Sequence, residues 1–100
     1  MWSWLKRWLP RSVRSRRDLH VVMYTRQGCH LCETAWAQLL AWQSIYQFVL
    51  RAEDVDTNSD WAVKYGQCVP VVEINGKVRF RGHVNDVLLR RLLDAKAETV

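Results

Sequence analysis

Cys29-His30-Leu31-Cys32 lies at a seam between two kinds of periodicity, and that junction restricts the fold more than any other segment. Upstream, Leu19–Thr25 is a continuous apolar run rich in β-branched residues, the pattern of a strand buried on both faces. Downstream, Leu31 to about Gln43 carries Cys32, Ala35, Trp36, Leu39 and Leu40 at helical spacing, which predicts a helix with one buried face. Two cysteines three apart at a strand-to-helix junction can close a disulfide across one turn of helix. The first also stands where free N–H groups and the positive end of the helix dipole stabilise a thiolate. That is the layout of a dithiol redox site.

The rest of the chain continues the alternation. Tyr46, Phe48 and Leu50 alternate with Gln47, Val49 and Arg51, which predicts a second strand running into the acidic turn Asp54-Val55-Asp56. Ser59–Tyr65 reads as a short helix, capped by Asn58 or Ser59 and ended by Gly66 at its C′ position. Val69–Ile74 and Lys77–Arg81 flank Asn75-Gly76, a strong hairpin signal. Val84–Lys96 closes the domain as a helix with Val84, Val87, Leu88 and Leu92 on one face. The order βαβα, hairpin, α predicts an α/β fold with a mixed four-stranded sheet. The first two strands are parallel across a helical crossover, the hairpin is antiparallel, and helices cover both faces.

Charge divides the chain at residue 17. The first 17 residues hold six Lys and Arg and no acid, leaving nine Lys and Arg against ten Asp and Glu in 18–100. The excess of +5 therefore belongs to the leader, and the domain lacks the basic face that nucleic-acid binding requires. In the leader, Trp2, Leu5, Leu9 and Val13 share one side of a helical wheel, Trp4 and Trp8 widen it, and Pro10 interrupts it. Tryptophan with basic residues and no acids suits peripheral contact with an anionic membrane through Met1–Arg17. A disordered tail and an organellar transit peptide fit the same composition. Three cysteines, one close pair among them and no secretory signal, fit a reducing compartment and a cytoplasmic protein. We expect residues 18–100 to be one monomeric domain.

Order and motifs together resemble the thioredoxin fold, and within it the short glutaredoxin-like proteins. The resemblance spans about Leu19 to Lys96. It is carried by the stretch from Val22 through Cys32, by Asp54-Val55-Asp56, by Lys64-Tyr65-Gly66, and by Val69-Pro70. It implies a cis-proline at Pro70 facing the cysteines, with Cys29 as the nucleophile and Cys32, one turn further in, as the resolving thiol. His30 would add positive charge beside Cys29 when protonated, or be a solvated polar residue at the helix start. Arg26 occupies the place where related glutaredoxins often have a lysine that meets a glutathione carboxylate. Gln27, Val69, Pro70, Gly82 and Asn85 complete the implied substrate-binding set. Cys68, two before the proline where threonine is common, reads as a small buried residue or as a third redox thiol. Trp36, Trp42 and Trp61 read as packing residues.

Two departures bear on the partner. In place of a Gly-Gly pair followed by aspartate stands Phe80-Arg81-Gly82-His83-Val84-Asn85-Asp86, so only Gly82 of the pair remains and Asn85 replaces the acid. The residues between the cysteines also lack the common Pro-Tyr. The expected function is a glutaredoxin-like thiol–disulfide oxidoreductase with no tightly bound cofactor or metal. It would act on a disulfide-containing protein or on glutathione, which is also a candidate reductant. An iron–sulfur or metal carrier, drawing on Cys68 with His20, His30 or His83, and a redox-inactive adaptor are the alternatives.

Overall fold

A computed structural model describes residues 15–95, so the expectations placed on residues 1–14, and on Lys96 as the end of the last helix, lie outside the described part. The elements are β1 (His20–Thr25), α1 (His30–Tyr46), β2 (Val49–Asp54), a 3-10 turn (Val55–Thr57), α2 (Ser59–Tyr65), β3 (Val71–Ile74), β4 (Lys77–Arg81) and α3 (Asp86–Asp94). The sheet runs β2-β1-β3-β4. β1 and β2 are parallel, while β1/β3 and β3/β4 are antiparallel. The architecture is the α/β thioredoxin fold.

β1 is central, which explains its unbroken apolar run: successive side chains point to opposite faces and both faces are covered. Val21 and Met23 join Cys32, Ala35, Leu39, Val72, Phe80, Leu89 and Leu93 in the larger core, beneath α1 and α3. Val22 and Tyr24 join Val55, Tyr65 and Val71 in a second core on the opposite face, beneath α2. Here Tyr24 packs edge-on to Trp61 at 5.4 Å between ring centres. The Tyr24 and Tyr65 hydroxyls donate to the two carboxylate oxygens of Glu73 at 3.3 and 3.2 Å.

The structure corrects four local expectations. α1 runs to Tyr46, so Tyr46 is the last helical residue and not the first of β2; Gln47, with φ 59°, turns the chain between them. Leu40, expected in the core, is exposed. In α3 the buried stripe is Leu89 and Leu93, while Val87 and Leu88 face outward, because Asn85 caps the helix and sets its phase. Gly66 ends α2 with φ −55°, an ordinary helical value rather than a left-handed one. Its need for glycine has another cause, described with the site.

The folded unit also reaches into the basic leader. Arg16 is buried, its backbone N–H donating to Tyr46 O at 2.7 Å. Its guanidinium bonds the carbonyls of Leu93 and Ala95 at the end of α3 and pairs with Asp18 at 3.0 Å. A buried arginine is tolerated here because each of its three side-chain nitrogens meets an acceptor. No helix among the described residues is long and apolar enough to cross a membrane.

Candidate active site

The loop between β1 and α1 is built by glycine and by an arginine clamp. Gly28 has φ +79° with nothing near the position a Cβ would take, so the backbone and not packing demands glycine. Two residues earlier, Arg26 donates from Nε and Nη2 to both carboxylate oxygens of Asp56 at 3.0 Å, and from Nη1 to Gly66 O at 2.9 Å. Asp56 follows β2 and Gly66 ends α2, so one side chain ties three segments together. A Cβ on Gly66 would lie 2.8 Å from this guanidinium and closer still to Ala62 O, which is why the position needs glycine. Hydrogen bonding to Asp56, then its charge, pushes the Arg26 pKa above its ordinary value.

Cys29 is the N-cap of α1, with extended backbone (φ −91°, ψ 105°). Its Sγ accepts from the Cys32 N–H at 3.1 Å, and its carbonyl accepts from Glu33 N at 3.2 Å. The two sulfurs are at disulfide distance, with Cα atoms 5.2 Å apart. Cys29 is half-buried whereas Cys32 is 2% exposed. That difference suits an attacking and a resolving sulfur. Beside the pair opens a cavity of about 320 Å³, to which Arg26, Gln27, Cys29, Cys32, Glu33 and Trp36 contribute, with Met23 and Ala52 behind them.

The other residues singled out in the sequence divide into four groups. Val69 and Pro70 precede β3 through a cis peptide bond, Val69 packs against the same core as Cys29, and Gly82 N donates to Pro70 O at 2.7 Å. His30 is almost fully exposed, its ring 3.8 Å from Glu33. Asn85 spends its side-chain oxygen on Leu88 N at 3.0 Å, and Asp86 accepts from Trp42 Nε1 at 2.9 Å and Gln38 Nε2 at 3.1 Å. Cys68 is a free, partly buried thiol with Arg81 Nη1 3.6 Å from its sulfur. Among the described residues no three His, Cys, Asp or Glu side chains converge in a way that could hold a metal ion.

Trp36, Asp56 and Ala52 are among the site residues that the sequence does not single out for the site. The sequence reads Trp36 as packing, although its place one turn beyond Cys32 on the same helix face is the available signal. Asp56 and Ala52 reach the site only through the parallel register that pairs Met23 with Ala52 and Thr25 with Asp54, which no local pattern reveals.

The pattern of the glutaredoxin-like domain (DUF836) matches residues 20–94. The chain belongs to that family. Among solved structures, this glutaredoxin-like chain is similar to protein Ne2328 from Nitrosomonas europaea, at 28% identity and TM-score 0.67 over 74% of this chain and 89% of that one. It is similar to a thioredoxin of Fasciola hepatica at 28% identity and TM-score 0.51, covering 75% of this chain and 77% of that one. The oxidised thioredoxin of Plasmodium falciparum shares the fold, at 22% identity and TM-score 0.57 over 83% and 85%. No curated protein matches the chain. Family, fold and a cysteine pair at disulfide distance suggest a redox role.

Proposed function

We propose that this chain is a thiol–disulfide oxidoreductase that works by exchange at Cys29. The observation that carries the reading is the cysteine pair itself: Cys29 caps α1, accepts a backbone N–H and is the more exposed of the two sulfurs. In the reduced form the Cys29 thiolate attacks one sulfur of a substrate disulfide, forming a mixed disulfide and releasing the other substrate sulfur as a thiolate that takes a proton from solvent. Cys32, having lost its proton, then attacks Cys29 Sγ and releases the second substrate thiolate. Two electrons pass to the substrate, and the Cys29–Cys32 disulfide is left behind. An external thiol, glutathione or a dithiol protein, returns the pair to the reduced state by the reverse exchange. Val69, ahead of Pro70, is the position from which backbone groups would meet an extended substrate.

Turbidity from reduction of insulin by dithiothreitol, with and without the protein, tests the activity. The wild type should accelerate it, Cys29→Ser should not, and a wild type no faster than the buffer control rules the reading out.

A further inference from the structure

The charges around the cysteine pair point to the kind of disulfide the site accepts, on the reading that the pair is an exchange site. Among the described residues one cation borders the cavity, Arg26, and its Nε, Nη1 and Nη2 each donate to Asp56 or Gly66. Against it stand three carboxylates: Glu33 on the cavity wall, Asp56 in the clamp, and Asp54, close enough to act on Arg26 through its charge. His30 beside Glu33 adds a further cation only when protonated. On the wall Glu33 balances Arg26, and Asp54 and Asp56 beside that arginine tip the described charges to the acidic side, while Met23, Trp36 and Ala52 give the cavity an apolar lining. A further apolar side chain, Leu31, is 57% exposed between the two cysteines.

We propose that the substrate is a polypeptide disulfide whose cysteine is flanked by an apolar residue and a cationic one, and that small anionic disulfides are poor substrates. The apolar side chain would enter the cavity against Trp36, and the cation would face Glu33 and Asp56. A glutathione mixed disulfide presents two carboxylates and one ammonium per glutathionyl group. It meets a border where Arg26 is already paired with Asp56 and Glu33 stands on the wall, so like-charge approach opposes encounter. The exchange is the one written above: the enzyme dithiol becomes its disulfide as the substrate disulfide becomes two thiols.

The test uses the full chain, pre-reduced and freed of reductant, in single turnover against three probes. These are a cyclic peptide disulfide with Leu and Lys beside its cysteines, the same peptide with two Glu, and a glutathionylated peptide. At low salt the Leu-Lys probe should react about tenfold faster than either anionic probe, and the gap should shrink to about threefold or less at 0.5 M salt, since such steering is screened. Asp56→Asn, which releases the charge of Arg26, should raise the rates of both anionic probes about threefold. Trp36→Ala should slow the Leu-Lys probe more than the others. Equal rates for all three probes, or a faster glutathionylated one, overturn the inference and leave the oxidoreductase reading intact. Failure to reduce any probe overturns both.

Discussion

The guanidinium of Arg16 donates to the main-chain carbonyl of Leu93, 77 residues away, and closes the N-terminal end of the described chain onto the end of α3. A second carbonyl, of Ala95, and the carboxylate of Asp18 complete the cradle. Arg16→Ala should therefore cost about 1–3 kcal/mol, because it strands helix-terminal carbonyls that the arginine now satisfies. Urea unfolding with an unchanged m-value is the check. Arg16→Lys should recover only part of the loss, since an ammonium cannot reach all three acceptors as a planar fork does. A neutral Arg16→Ala would mean that the leader stops short of the fold after all.

Gly66 and Arg26 share one volume. Gly66→Ala would set a methyl group 2.8 Å from the Arg26 guanidinium, and should destabilise by about 1–3 kcal/mol as an overpacked site. Combining it with Arg26→Ala should relieve part of that cost, a non-additivity readable by a double-mutant cycle. Strict additivity would show that the guanidinium does not set the requirement for glycine.

Stability should fall at both ends of the pH scale for separate reasons. The hydrogen bond from Arg16 holds the Asp18 carboxyl below its usual value, outweighing burial. Its stabilising share is present above the unfolded carboxyl's pKa, about 4, and is lost as pH drops through the lower folded value. Tyr24 and Tyr46 are raised, first by burial and then by Glu73 and Asp94 respectively. Their phenols must stay neutral in the fold, so stability is full below the unfolded pKa, about 10, and declines as pH rises towards the folded values. Thermal unfolding against pH checks both limbs, and Asp18→Asn should flatten the acid one.

How far the fold could be read from the chain depended on whether neighbours or distant segments decided each element. β1 and the start of α1 were legible because a central strand and a cysteine pair at a helix N-terminus leave local patterns. Tyr46 reads as part of β2 because the Tyr46, Phe48, Leu50 alternation runs unbroken through Gln47, whose left-handed backbone is what separates helix from strand. The buried stripe of α3 is not legible locally because apolar residues occur on two sides. Its phase is set by the Asn85 cap and by the tether from Trp42 and Gln38 to Asp86. At the site, the cysteines and the cavity residues Arg26 and Gln27 were named, but the partner that occupies Arg26 lies 30 residues away. No spacing rule connects a loop cation to an acid across a parallel register.

Residues 1–14 keep the composition that suggested membrane contact, with Trp2, Trp4 and Trp8 among Lys6, Arg7, Arg11 and Arg14. The full chain should sediment with vesicles containing anionic lipid at low salt and less at high salt, and a 15–100 chain should not. Equal sedimentation of the two would assign lipid binding elsewhere or exclude it.

Exchange through Cys29 is tested most directly by trapping its intermediate. Pre-reduced Cys32→Ser, mixed with a peptide disulfide and quenched in acid, should accumulate a covalent adduct whose mass equals protein plus one peptide thiol, mapped by digestion to Cys29. The matching Cys29→Ser protein should give none at Cys32, which is 2% exposed. An adduct on Cys32 or Cys68 in preference to Cys29, or no adduct while the wild type still reduces the peptide, would contradict the mechanism.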